Sequence, residues 1–201
     1  MRETKKILSP LTGILSIFAT SSVLAICSVP TGWYAEGNVG GTSFYGQTYP
    51  AGISSKTSGK AWNVDGGYKF TPYVALEAGY TRYAPTRITD SALGTGTLAQ
   101  IQHTTIDVAT KFMYPLQTTG IEPFIKLGIG DIRSQANHVQ RVIQNQINTS
   151  TQTSNGLYLA AGVAYYFTPN FAGNLQYARG RGNNNTGTPS AYTAGFTFLL
   201  G

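Results

Sequence analysis

The side chains able to carry acid–base, nucleophilic or metal chemistry are few in this chain of 201 residues, which has two histidines, eight acidic residues and one cysteine. A serine nucleophile would need a histidine base oriented by an acid. His103 and Asp107 with a loop serine offer one such cluster, and His138 is the second candidate base. The two histidines lack metal-ligand spacing, so the sequence predicts no metal site and no cofactor. The pattern favours a protein that is not an enzyme and leaves nucleophilic catalysis by such a cluster as the less favoured alternative.

The N-terminal segment has the layout of a secretory signal. Arg2, Lys5 and Lys6 precede an apolar run over 11–19, and small residues follow up to Ala25. Cleavage after Ala25 would leave a mature domain over 26–201. Cys27 is the only cysteine, which excludes an internal disulfide, and Ile26 is bulkier than the residue that lipid attachment to a following cysteine requires. The sequence therefore predicts export, with the cleavage site and lipidation of Cys27 left open.

The composition of the remainder favours strands over helices. Only 11% of residues are charged, against roughly 25% in soluble domains, and the chain has 24 glycines and 13 tyrosines. Its net charge of +6 is too small to indicate nucleic acid as a partner. Such a composition is typical of many short strands with tight turns and aromatic faces.

Period-two alternation recurs along the chain. In 171–178 the odd positions are Phe, Gly, Leu and Tyr, and the even positions are Ala, Asn, Gln and Ala. The segments 74–81 and 121–130 alternate in the same way. The polar face holds small residues and sparse charges, unlike the water-facing side of a soluble sandwich, so it suits the interior of a narrow barrel.

Eight segments of this kind are predicted as strands, and short and long connections alternate between them. An even number of strands of ~9–11 residues, with short turns on one side and long loops on the other, is typical of an outer-membrane barrel. The sequence therefore predicts an all-β, eight-stranded, antiparallel up-and-down transmembrane barrel with short periplasmic turns and long extracellular loops. The predicted strands span 32–44, 59–70, 73–83, 100–114, 120–133, 154–167, 171–179 and 191–200.

One phrase occurs twice, as YKFTPYVALEAGYTR from Tyr68 and as YYFTPNFAGNLQYAR from Tyr165. Proline fits a turn but cannot lie within a ladder of hydrogen bonds. We interpret both copies as the same hairpin at one membrane interface. Their outward rings would form an aromatic girdle made of Tyr68, Phe70, Tyr165 and Phe167.

The alternation assigns several charged residues to the barrel interior, where an unpaired charge would be costly. These residues are Asp65, Glu77, Asp107, Lys111 and Lys126. A satisfied polar core that holds the barrel in shape is the favoured interpretation, and conduction of ions is the alternative.

Basic residues concentrate on the loop side of the predicted barrel. There they could contact phosphates of lipopolysaccharide in the outer leaflet, or they could form an ordinary interface collar. The candidate lipid contacts are Arg82, Arg87, Arg133, Arg179 and Arg181.

Four motifs in order, WYAEGNVG, GGYKFTPYVALEAGY, ATKFMYPL and AAGVAYYFTPNFAGNLQY, resemble the OmpA-type transmembrane barrels, with opacity proteins and small OmpX-like barrels as near neighbours. The resemblance implies a lumen salt-bridge gate, whose acid and base fall on Glu77 and Lys111. Asn38 takes a lumen position that is often basic in that family, and Ala164 and Asn174 stand where the alternative acid and base would be. The resemblance thus implies a static plug here. It also implies recognition of the C-terminal strand by the barrel-assembly machinery, while the family's peptidoglycan-binding domain has no counterpart in this sequence.

Together these patterns predict a protein of the cell outer membrane with a structural and surface-interaction role, resembling an adhesin. Its loops, including the polar run QNQINTSTQTSN from Gln144, would meet a host or surface ligand. A minor porin-like channel and a lipopolysaccharide-modifying enzyme are the alternatives.

Overall fold

The computed structural model describes residues 30–45, 53–57, 59–90, 97–116, 119–137, 151–183 and 186–200. The predicted signal over 1–25, Cys27 and His138 lie outside these residues. Among the described residues, no helix is long and apolar enough to cross a membrane. The described parts form ten strands: β1 (Gly32–Tyr45), β2 (Ile53–Thr57), β3 (Lys60–Thr71), β4 (Val74–Arg82), β5 (Thr86–Asp90), β6 (Thr97–Met113), β7 (Ile121–Asn137), β8 (Gln152–Thr168), β9 (Phe171–Gly180) and β10 (Thr188–Leu199).

Eight of these strands form a closed antiparallel barrel, as the sequence predicts. The ring runs β1, β3, β4, β6, β7, β8, β9 and β10, and β10 pairs again with β1. Each of these strands pairs with the next one along the ring, which is the up-and-down topology. Closure gives the backbone groups of every barrel strand a partner on both sides.

On the loop side of the barrel, the strands are longer than the sequence predicts. β2 and β5 lie in segments predicted as loops, where β5 pairs with β6 and β2 pairs with β5. β6 begins at Thr97, β7 continues to Asn137 and β10 begins at Thr188. The Thr, Gln and Ser residues of these extensions signal loops by composition, but a strand already formed offers its neighbour a hydrogen-bonding template that such residues can continue.

The burial pattern is the reverse of that in a soluble protein. Ile129 is 73% exposed and Leu175 is 60% exposed on the outer wall, whereas Lys126 is fully buried inside. Burial alternates residue by residue along β3, β4 and β7, as the period-two pattern predicts. An apolar outer wall around a charged interior fits a barrel surrounded by hydrocarbon.

The two copies of the repeated phrase form the same hairpin. The β3–β4 pair shifts register between Lys69 and Thr71, and the β8–β9 pair shifts between Tyr166 and Thr168. In the first copy the Thr71 hydroxyl oxygen accepts hydrogen bonds from the backbone N–H groups of Tyr73 and Val74, at 3.2 and 3.0 Å. This side-chain cap tightens the turn beside the proline.

Aromatic rings flank both hairpins on the outer wall. Tyr68 and Phe70 pack edge to face with ring centroids 5.0 Å apart, and Tyr165 and Phe167 pack in the same way at 5.2 Å. Trp33 extends the first group by packing against Tyr68 at 5.2 Å. These rings lie at the end of the barrel with the short turns, in the arrangement that an aromatic girdle requires.

Replacing Leu175 by arginine tests the lipid-facing assignment. We expect Leu175→Arg to lower the free energy of unfolding by about 2–4 kcal/mol, because it places a charge near the middle of the hydrocarbon layer. Asn155→Arg, at an outward position paired with Asp131 in β7, is the matched control and should cost about 0–1 kcal/mol. Urea titration of the protein folded in phospholipid vesicles measures both. Equal losses for the two variants would contradict the assignment.

Candidate functional site in the barrel lumen

The centre of the lumen is occupied by the Lys126 ammonium group. Its Nζ atom lies 3.4 Å from Glu36 Oε1 and 3.2 Å from Asp65 Oδ2, and it also forms an ion pair with Glu77. The three acids come from β1, β3 and β4, and the lysine comes from β7 across the barrel. One cation therefore links four strands through the interior.

Lys111 joins the same cluster from β6. Its Nζ atom is 2.9 Å from Glu36 Oε2 and 3.8 Å from Glu77 Oε2. The structure thus places Glu77 and Lys111, the pair suggested by the family resemblance, in one lumen cluster, but each has a closer partner. The side chain of Lys111 also lies over the Phe124 ring, with the ammonium 4.3 Å from the ring centroid.

Neutral side chains complete the hydrogen bonding of the acids. The Tyr34 hydroxyl donates to Glu77 Oε2 at 2.8 Å, and the Asn38 amide donates to Glu36 Oε1 at 2.9 Å. The amide of Asn63 donates to Asp65 Oδ2 at 2.6 Å. Such donors offset the desolvation of buried carboxylates, which the lysines alone would not do.

Glu36 is a charged residue of this cluster that the sequence analysis did not assign to the lumen. It accepts from both lysines and from Asn38, and it is 2% exposed. The signal was present, because Tyr34, Glu36 and Asn38 alternate with small residues and Val39 along β1. The alternation that places Asn38 inward also places Glu36 inward, two residues earlier on the same strand.

A second ion pair lies in the lumen near the short turns. Lys69 Nζ is 2.8 Å from Glu122 Oε2, and the Tyr166 hydroxyl donates to Glu122 Oε1 at 3.2 Å. Both charged residues are buried. This pair lies at the end of the lumen with the short turns, below the central cluster.

The other predicted lumen residues are buried as well, with different partners. The Asn174 amide donates to the Thr197 hydroxyl at 3.1 Å, and that hydroxyl donates to Glu36 Oε2 at 3.2 Å. Asp107 is buried in β6 on the same inward face as Lys111 but joins neither lysine within the described residues. It is the exception among the predicted lumen charges.

The loop end of the lumen is capped by His103. Its Nδ1 atom lies 2.7 Å from Ser134 Oγ, its Nε2 atom lies 3.2 Å from Thr86 Oγ1, and its ring packs on Phe44 at 4.2 Å. The Ser134 hydroxyl donates to the Thr186 carbonyl oxygen at 3.3 Å, which is consistent with Nδ1 acting as the donor towards Ser134.

That geometry does not assemble a serine nucleophile. A nucleophilic serine gives its proton to the histidine, and the histidine is oriented by an acid. Among the described residues no carboxylate hydrogen-bonds to His103, and Asp107 lies deeper on the same strand face. The arrangement favours a structural role for the His103–Ser134 pair.

Metal binding at the centre is likewise disfavoured by geometry. Oxygen atoms of Glu36, Asp65 and Glu77 lie within 4.8 Å of one another, as ligands of one ion would. The Lys126 ammonium, however, already contacts all three carboxylates. The cation at this point of the lumen is therefore the lysine itself.

The outer wall carries the predicted basic residues at the loop end. Arg82, Arg87, Arg133, Arg179 and Arg181 are all exposed. Arg133 is paired with Asp131 at 2.9 Å, whereas Arg82 donates a long hydrogen bond of 3.4 Å to Gln102 and forms no ion pair among the described residues. Arg82 borders a groove of about 510 Å³ together with Lys60, Trp62 and Gln102. The Trp62 ring packs against that of Tyr80 at a tilt of 49°, with ring centroids 5.5 Å apart.

Comparison with known proteins gives the same fold and names the family. A family model described as outer membrane protein beta-barrel domain matches residues 12–199. The chain belongs to this family. No curated protein sequence matches the chain.

Solved outer-membrane barrels are similar in fold at low sequence identity. The Neisserial surface protein A (NspA) is 17% identical with a TM-score of 0.59, over 84% of this chain and 97% of that one. OprG from Pseudomonas aeruginosa is 13% identical with a TM-score of 0.56, over 84% and 92%. Ail, the attachment invasion locus protein of Yersinia pestis, is 13% identical with a TM-score of 0.50, over 84% and 96%. The protein is therefore an outer-membrane barrel, as the OmpA-type resemblance implies.

Removing the central cation should be far more damaging than removing a surface one. We expect Lys126→Met to lower the free energy of unfolding by about 3–5 kcal/mol, because it leaves Glu36, Asp65 and Glu77 buried without their shared partner. Arg133→Met breaks an exposed pair and should cost about 0–1 kcal/mol. Urea unfolding in vesicles, followed by the heat-dependent shift in electrophoretic mobility, compares them. A loss for Lys126→Met no larger than for Arg133→Met would contradict the role of the cluster.

Proposed function

We propose that this protein is a non-enzymatic outer-membrane barrel with a closed lumen, which presents its loops and basic outer rim for interactions at the cell surface. The observation that carries the proposal is the Lys126 ammonium, buried against three carboxylates at the centre of the barrel. A side chain so placed blocks the path that a solute would take.

The lumen is obstructed at three levels along its axis. The Lys69–Glu122 pair lies near the turns, the Lys126 and Lys111 cluster lies in the middle, and the His103 cap lies at the loop end. Opening a path would separate several buried ion pairs, and leaving one buried charge without its partner costs about 3–5 kcal/mol. The Glu77–Lys111 contact belongs to this static plug rather than to a switch of partners.

A channel is the competing function, and conductance in planar bilayers separates the two. We expect the folded protein, checked by its heat-dependent mobility shift, to show no discrete openings above detergent background, because charged side chains fill the lumen. A characterised porin inserted under the same conditions provides the positive control. Reproducible stepwise currents from the folded barrel would refute the closed lumen.

The outer rim supports interaction with anionic lipid. The groove beside Lys60 and Arg82 combines two cations with the ring of Trp62 on the outer wall, just beyond the apolar belt. Arginine binds phosphate through two parallel hydrogen bonds, and a tryptophan ring at this depth packs against acyl chains and sugars. We infer that this groove takes a phosphate group of lipopolysaccharide in the outer leaflet.

Matched arginine variants test the lipid contact. Lipopolysaccharide in the bilayer should raise the midpoint of thermal unfolding of the wild type relative to phospholipid alone. The double variant Lys60→Gln with Arg82→Gln should lose most of that increase, because it removes both cations of the groove. Arg133→Gln should keep it, since Asp131 already neutralises Arg133. The same increase in all three proteins would count against the groove as a lipid site.

Surface attachment through the loops is the remaining part of the proposal. β2 and β5 and the ends of β6, β7 and β8 project on the loop side and form a scaffold for them. One of the barrels of similar fold is named an attachment invasion locus protein, which supports such a role for the same architecture. In this proposal, residues of the loops determine which partner the protein binds.

A further inference from the structure

One acid in the upper half of the lumen is left without a partner. Asp107 is 1% exposed, and neither of its carboxylate oxygens has a hydrogen-bond partner among the described residues. The charged groups that act on it are Asp65, Lys126 and Glu77, two of which are acidic themselves. A buried ionised carboxylate in such surroundings is costly unless something compensates its charge.

A glycine lets two acids pack against the same stretch of backbone. Asp65, Gly79 and Asp107 lie side by side on β3, β4 and β6. A Cβ atom on Gly79 would lie 3.0 and 3.1 Å from the two carboxylate oxygens of Asp107, and closer still to Asp65 Oδ1. Asp65 Oδ1 is also buried without a hydrogen-bond partner. Two carboxylates thus converge on Gly79, where a side chain on any other residue would keep them apart.

The lumen around Asp65 and Asp107 also contains neutral oxygen atoms that could act as ligands. Among the described residues, the first imidazole nitrogen towards the loop end is that of His103. The hydroxyl oxygens of four buried residues lack hydrogen-bond partners in the described structure. The Tyr83 hydroxyl lies close to those of Thr81 and Thr105, and Tyr158 interacts electrostatically with both Asp65 and Asp107. The four are Thr81, Tyr83, Thr105 and Tyr158.

The charges of the central and upper lumen do not balance. Four carboxylates, those of Glu36, Asp65, Glu77 and Asp107, are buried with two lysines, Lys111 and Lys126. Two negative charges are therefore in excess. Both lysines form their ion pairs with Glu36, Asp65 and Glu77. Among the described residues, Asp107 is therefore the acid that has no cation beside it.

We propose that Asp65 and Asp107 bind a divalent cation of the calcium class over Gly79, inside the lumen and below the His103 cap. An all-oxygen donor set is what a hard cation prefers, whereas zinc and related metals favour nitrogen and sulfur. Calcium accepts six to eight oxygen ligands in irregular geometry, which suits side chains fixed by separate strands, while magnesium demands a near-ideal octahedron. One divalent ion neutralises the two excess charges. It adds a fourth obstruction to the lumen and links β3 to β6 across β4.

Terbium luminescence and thermal unfolding test the site in the full-length barrel folded after treatment with chelator. Tb³⁺ is a probe for calcium sites, and Tyr83 and Tyr158 are close enough to sensitise its emission. For the wild type we expect emission on tyrosine excitation that Ca²⁺ displaces, and a rise in the unfolding midpoint on adding Ca²⁺. Asp107→Asn should bind Tb³⁺ at least tenfold more weakly and lose the rise. Asp131→Asn, on the outer wall of the neighbouring strand, is the matched control and should keep both.

The stability of Asp107→Asn relative to the wild type provides a second test that does not depend on measuring Tb³⁺ binding. In chelator, Asp107→Asn should be more stable than the wild type, because it removes an uncompensated buried charge; in Ca²⁺ the order should reverse. Gly79→Ala, whose methyl group would push Asp65 away from Asp107, should also weaken Tb³⁺ binding and serves if Asp107→Asn folds poorly. Equal Tb³⁺ affinity in wild type and both variants, a stabilisation matched by Na⁺ at the same concentration, or no effect of Ca²⁺ on the wild type would each overturn the proposal.

Discussion

Hydrocarbon offers no hydrogen bonds to a polypeptide backbone, and this constraint accounts for most of the architecture. Every N–H and C=O group of the membrane-spanning strands must find a partner within the protein, and a ring of strands is the arrangement that leaves no edge. The pairing of β10 with β1 and of β6 with β7 completes that ring. Above the membrane the constraint is relaxed, and there β2 and β5 add to β6 without closing a second ring.

Closure with eight strands also determines what the interior must contain. The space is narrow enough for side chains to fill it, and the outer face takes the apolar residues, so polar groups are left for the inside. Their burial makes each of them dependent on its partners. The result is a stack of charge clusters in which Lys69 with Glu122, and Lys126 with Glu36, connect strands far apart in sequence. The ion pairs inside the barrel thereby stabilise the closed ring of strands that encloses them.

The sequence predicted the fold well because one periodic signal carries both the strand identity and the side that each residue faces. It predicted the inward positions of Glu77, Lys111 and Lys126 for the same reason. It could not predict which acid meets which base, since that depends on strand tilt and side-chain length across the lumen. Lys111 consequently lies nearer Glu36 than Glu77. The extensions that contain β2 and β5 were missed because their polar composition does not differ from that of loops.

The two bulged hairpins that share one sequence phrase stand on opposite sides of the ring, since β3–β4 and β8–β9 are half a circumference apart. Each presents a cluster of rings at the same height. A cylinder fixed at two facing points of one rim cannot lean towards either of them without pulling one cluster out of the headgroup layer. The protein should therefore resist tilting in the plane that contains both clusters, and in that plane the surrounding lipid, rather than the barrel, would stretch or compress to match bilayers of different thickness.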